Sequence, residues 1–204
     1  MTICNIFFQK SISLTSWKMA TAIIFLAEGA EEMETVITAD VLRRAEIAVT
    51  IAGVEGGKPV KCSRNVIITP DAALSDVASE KFDLVVVPGG NPTSQKKLAE
   101  SSLVGEILRA QDENNRIIGA ICAGPSNFAA HGVAKERVVT SHPTFQAVLE
   151  DAGYKYSQER VSIDGHVITS RGPGTATEFA FACASAVIGK DFIKEHGSAM
   201  LINF

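Results

Sequence analysis

Cysteine is scarce in this chain, and its spacing excludes two kinds of architecture. The 204 residues contain Cys4, Cys62, Cys122 and Cys183, and no two share the short spacing of a zinc site or a redox pair. A disulfide framework is therefore not expected, and scattered free thiols fit a reducing compartment. The four histidines (His131, His142, His166 and His196) make no close pair with a cysteine, so no metal is expected. Charge of one sign is also lacking. Nineteen Lys and Arg against 23 Asp and Glu leave a net charge of −4 with no long run of either sign. Phosphate recognition needs clustered Lys and Arg, so a nucleic-acid partner is not expected. Low-complexity linkers and internal repeats are absent as well.

What remains is ordinary globular material, 46% hydrophobic and 21% charged. A chain of this length buries roughly 70% of its unfolded surface as one domain. Residues 1–18 stand apart: they hold no acid, carry Lys10 and Lys18, and are rich in Ser and Thr. They read as a disordered extension or an alternative start, with a weak targeting segment as the other reading. The segment is too short and polar-interrupted to span a membrane, and no membrane partner is expected. Residues 19–204 read as a single α/β domain.

From Thr21 the hydrophobic pattern alternates between strand and helix. Apolar strands are expected at 21–27, 47–53, 81–90, 116–122 and 137–141, with a hairpin or side strand at 60–71 and a strand region at 161–170. Helices are expected at 29–45, 102–113, 123–132 and 175–189, while 91–100 reads as a loop. Continuous apolar strands separated by helices imply a mostly parallel sheet covered on both faces, with sites at the carboxyl ends of the strands.

Cys122 ends such a strand, where RIIGAIC runs into AGPSNFAA. A side chain there stands on a sharp bend, as in a nucleophile elbow. A following helix N-terminus would favour the thiolate. The alternative is a buried structural cysteine. Glu34 shares a helix face with Ile37 and Val41, which turns its carboxylate inward, where burial raises the pKa. Its alternative is a partner for the helix dipole, the role read for Glu31 and Glu32. Gly90, closing DLVVVPGG, offers with Ala123 a pair of backbone N–H groups for an oxyanion. A plain tight turn is the other reading. His142 lies at another strand end as an acid, base or substrate ligand, or as a surface histidine. RGPGT (171–175) lacks the full dinucleotide fingerprint, so no nicotinamide cofactor is expected. Cys183 reads as core and Cys62 as a semi-exposed thiol.

Seven motifs in register, GAEEMETV, ADVLRRA, VKCSR, VVVPGGN, AICAGP, TSHP and TSRGPGT, closely resemble the parkinsonism-associated deglycase family of the PfpI-like superfamily. The resemblance covers about residues 19–189. It implies a flavodoxin-like three-layer sandwich working as a homodimer. It implies Cys122 as the nucleophile, Glu34 as its acidic partner, His142 nearby, and Gly90 and Ala123 as oxyanion positions. Arg44 and Arg64 match arginines near a dimer interface and the site entrance. The implied substrates are small dicarbonyls, such as methylglyoxal, or early glycation adducts of proteins, turned over without glutathione and without a cofactor. The implied role is defence against oxidative and carbonyl stress, in the cytoplasm and also the nucleus or mitochondrion. An alternative is a redox sensor and chaperone acting through oxidation of Cys122. A peptidase or amidotransferase is disfavoured, because Ala123 stands where protease-like relatives carry a histidine. Thr69 replaces a second cysteine found in vertebrate relatives.

Overall fold

The computed structural model describes residues 19–189 and 196–202, so the expectation for residues 1–18 lies outside the described residues. The chain begins with β1 (Thr21–Leu26), α1 (Glu32–Arg44) and β2 (Ala48–Gly53). The antiparallel pair β3 (Val60–Lys61) and β4 (Ile67–Ile68) follows, then β5 (Ala72–Ala73) and α2 (Leu74–Val77). Next come β6 (Leu84–Val87), α3 (Pro92–Glu100), α4 (Ser102–Glu113), β7 (Ile117–Ile121) and α5 (Ser126–His131). The remainder is β8 (Val138–Val139), α6 (Gln146–Asp151), β9 (Lys155–Tyr156), β10 (Val161–Asp164), β11 (Val167–Ser170) and α7 (Ala176–Ile188).

Seven strands form the central sheet in the order β10-β11-β7-β6-β1-β2-β5. Among the described residues, the β10–β11 pair is the only antiparallel one in this sheet. The alternation of β1 explains the layers, because successive side chains point to opposite faces. Ala22, Ile24 and Leu26 join one core with Val41 and Leu42 of α1 and Phe179 of α7. Ile23 and Phe25 join a second core with Leu98 of α3, Val104 and Leu108 of α4 and Phe128 of α5. The molecule is thus an α/β three-layer sandwich with a mostly parallel sheet. The strand order reverses direction between β1 and β6, which places a crevice at their carboxyl ends.

Three local expectations change. Residues 91–100 form α3 rather than a loop: the Asn91 side chain accepts from the Thr93 and Ser94 amides, and Pro92 opens the helix. Its buried face is only Ser94 and Leu98, too thin an apolar stripe to read as a helix. The strand expected at 137–141 shrinks to β8, which pairs with β9 outside the main sheet. The sheet edge it would have taken is occupied by β10, because residues 161–170 fold as a hairpin through Gly165 at φ 61°. Third, α5 starts at Ser126, not at residue 123, which leaves Ala123–Pro125 as a turn.

That turn is tight. A Cβ on Gly124 would lie 2.2 Å from the Val87 carbonyl oxygen and 2.8 Å from that of Ile121. Gly124→Ala is expected to destabilise the fold by about 3 kcal/mol, since backbone atoms cannot yield as a flexible side chain does. Denaturant unfolding checks this, and an unchanged midpoint would show that the turn shifts freely.

Candidate active site

Cys122 follows the last residue of β7 with φ 63°, a left-handed conformation that an L-residue adopts only under local strain. Two hydrogen bonds hold it there. Its amide donates to the Ser170 carbonyl at the end of β11 (3.0 Å), and its carbonyl accepts from the His142 amide (2.9 Å). The side chain is half-buried at the carboxyl end of β7, against the Gly89 turn that follows β6.

Glu34 reaches the thiol from α1. Glu31 caps that helix by accepting from the Glu34 amide (2.8 Å), which aims the next inward position at the sheet. The Glu34 side chain is fully buried, and its Oε2 accepts from the Gly89 amide at 2.7 Å. Burial pushes its pKa up to about 8. The Gly89 amide and the Cys122 thiol act against that rise, and the Glu31 charge adds to it. Burial, followed by the neighbouring Glu34, pushes the Cys122 thiol up, while the Ala123 amide donating to sulfur opposes the rise. The expectation of a thiolate favoured by a helix end is therefore corrected. α5 begins four residues beyond Cys122, and desolvation and the carboxyl outweigh the single amide. Thiol and carboxyl are one coupled unit that loses its first proton as a pair.

Gly89 makes this contact possible; the sequence offered it only as a strand-ending glycine beside Gly90. A Cβ on it would fall 2.7 Å from the Cys122 Cβ, 2.8 Å from Glu34 Oε2 and 3.0 Å from the Ala123 nitrogen. Gly90, with φ 153°, forms an antiparallel bridge to Ala30, and among the described residues its amide donates to no backbone carbonyl. Its Cα faces the Gly29 carbonyl and Ser94.

His142 lies at the rim. Its ring Nδ1 sits 2.9 Å from Thr144 Oγ1 and accepts from the Thr144 amide at 3.4 Å, which leaves the proton on Nε2. Its ring edge and the Cys122 sulfur both border Gly172. The Tyr156 hydroxyl donates to the Ser141 carbonyl (3.0 Å) and so fixes the chain just before His142.

Both arginines are exposed. Arg64 projects into solvent from the β3–β4 turn, and its amide donates to Glu32 Oε1 (2.8 Å). Glu32 also accepts from Ser63 Oγ, so it anchors that turn rather than serving only the helix dipole. Arg44 pairs with Asp40 in the last turn of α1. It lies ten positions along the helix from Glu34, roughly 15 Å along the axis. Cys62, read as semi-exposed, is buried, and burial pushes its thiol up to about 11. Cys183 is core, as its sequence context suggests.

The chain as a whole has close counterparts in sequence and in fold. Residues 20–186 match the model of the DJ-1/PfpI family. The Drosophila melanogaster protein dj-1beta is 49% identical over 185 residues, covering 90% of this chain and 98% of the relative. The Caenorhabditis elegans protein named glutathione-independent glyoxalase DJR-1.2 is 45% identical over 172 residues, covering 84% and 90%. The crystal structure of Drosophila DJ-1beta superposes with a TM-score of 0.89 at 48% identity, covering 92% of this chain and all of that one. With four-fifths of its length matched by the family model and relatives near half identical across most of their own length, the chain belongs to the DJ-1/PfpI family.

Proposed function

We propose that this protein is a glutathione-independent glyoxalase, converting methylglyoxal to lactate through a hemithioacetal on Cys122, with early glycation adducts as further substrates. The observation that carries this reading is the thiol–carboxyl pair. Cys122 is strained open at φ 63° against a fully buried Glu34 that still holds its proton at neutral pH.

Once the pair has lost one proton, the sulfur attacks the aldehyde carbon and forms the C–S bond. The carbonyl electrons move to oxygen, toward which the Ala123 and Gly90 amides act as donors, and the alkoxide then takes the proton that Glu34 still holds, leaving Glu34 as a carboxylate. Glu34 next removes the proton on that carbon, giving an enediolate. His142 Nε2–H faces the neighbouring oxygen from the rim. Return of the proton to the second carbon leaves a lactoyl thioester, and water releases lactate and the thiol. One carbon is oxidised and its neighbour reduced, so the steps balance without an external oxidant.

A homodimer fits the same reading. Met33 and Val36 of α1 and Val66 and Ile67 of the β3–β4 hairpin are exposed apolar side chains, and Glu32 draws helix and turn together beside Arg64. The redox-sensor alternative asks for an exposed thiol of lowered pKa. Cys122 is half-buried and pushed up, so nothing in its surroundings favours sensing over turnover.

The test is lactate formation from methylglyoxal with no other thiol present. The rate is expected to rise with pH through about 8, as the pair loses its first proton. No lactate, or lactate only with added glutathione, overturns the proposal. Deglycation is separated by supplying a preformed hemithioacetal adduct while free methylglyoxal is trapped.

A further inference from the structure

We infer that Asn127 is a positioning residue for the oxyanion site, acting with Gln95 to fix the separation of its two amides; this rests on the glyoxalase reading. The two amides come from different segments. Ala123 belongs to the elbow turn before α5, and Gly90 immediately precedes Asn91, the cap of α3. No covalent turn joins these segments, so their spacing depends on how α3 and α5 sit against each other.

One side chain bridges them. Asn127 is 1% exposed, and its Nδ2 donates to the Gly124 carbonyl (3.1 Å) and to Gln95 Oε1 (2.9 Å). The Gln95 amide in turn donates to the Asn91 carbonyl at 3.1 Å. A continuous hydrogen-bonded path therefore runs from the residue after Ala123 to the residue after Gly90. Leu98 and Phe128 fill the same seam with apolar contact, but dispersion holds a distance without fixing register, whereas a shared N–H does both. Ser126 Oγ, donating to the Ala123 carbonyl at 2.7 Å, completes the elbow but does not cross to α3. The arrangement carries a cost: Gln95 Nε2 and Ser94 Oγ are buried without partners among the described residues. An apolar pair would fill this seam without that cost, so directionality is what the amide pair adds.

The chemistry supplies a discriminating readout. Attack on an aldehyde builds negative charge on oxygen and needs both amides. Alkylation of the thiol by iodoacetamide expels iodide and builds no oxyanion, so it does not depend on the separation of the two amides. Asn127→Ala and Gln95→Ala are each expected to lower kcat for methylglyoxal about tenfold, since a misplaced donor loses its transition-state contact while ground-state binding is kept. KM and the rate of Cys122 alkylation should change less than twofold. The double variant should be no slower than either single one, because both break the same bridge. Gln95→Glu keeps the acceptor for Asn127 Nδ2 and should retain most of the activity. Gln95 is only half-buried, so its variants test the bridge even if Asn127→Ala unfolds. Equal losses of turnover and alkylation would mean a collapsed site and overturn the inference, as would unchanged kcat in both single variants. A wild-type protein that makes no lactate defeats the glyoxalase reading instead.

Discussion

Glu34→Gln is expected to make the protein more stable at neutral pH, by about 3 kcal/mol at pH 7, and at least 100-fold slower on methylglyoxal. The stability change follows from linkage. The folded pKa of Glu34 is about 8 and its ordinary value is 4.5. Below pH 4.5 both folded and unfolded chains carry the proton, and the group imposes no pH-dependent penalty. Between the two values the unfolded chain releases the proton while the folded chain keeps it. Stability then falls by about 1.4 kcal/mol per pH unit, until the whole penalty, roughly 5 kcal/mol, is present above pH 8. The carboxyl is fully buried, so solvent does not screen the effect. Glutamine has the same shape, keeps an oxygen for the Gly89 amide, and never ionises. Denaturant unfolding at pH 4.5, 7 and 8.5 should show wild type and variant converging at the acid end and separating steadily above it. Equal stability at pH 8.5 would mean that Glu34 is not held protonated by its burial. Turnover falls for the same reason that stability rises, since an amide cannot take the carbon-bound proton.

The sequence made the layered fold legible because parallel strands buried on both faces leave long apolar runs, as in β1 and β6. It made Glu34 legible because Val41 shares its helix face. Other features depended on contacts between distant segments. The rise of the Cys122 thiol comes from burial and a carboxyl 88 positions away, whereas local pattern showed only the elbow and suggested the opposite direction. Gly89 reads locally as half of a turn, whereas its need for glycine comes from Cys122, Glu34 and Ala123, each with an atom within 3.0 Å of where a Cβ would stand. Asn127 sits in an otherwise small and apolar stretch, and its partner lies on a helix with only Ser94 and Leu98 buried. The Asn-Pro pair at 91–92 was the one local signal for that helix.

Cys122→Ser is expected to reduce lactate formation at least about 1,000-fold while leaving the fold intact. The serine hydroxyl occupies nearly the same volume, yet its proton is far more tightly held than a thiol's. A partner with a pKa of about 8 cannot remove it to any useful extent. Wild-type turnover in this variant would rule out a hemithioacetal on residue 122. Glycine and alanine at the same position separate the elbow's chemistry from its conformation. Both remove the sulfur and should be equally inactive. They differ in backbone freedom: φ 63° costs an L-residue roughly 1–2 kcal/mol and glycine almost nothing. Greater freedom of glycine in the unfolded chain takes back part of that gain. Cys122→Gly should therefore unfold at higher denaturant than Cys122→Ala, by about 1 kcal/mol. If glycine proved the less stable of the two, the left-handed elbow would be relaxed rather than strained. The cysteine would then owe its exposure to neighbouring packing alone. If glycine is the more stable, the fold tolerates a standing conformational cost at residue 122, and the sulfur is what that cost holds in place.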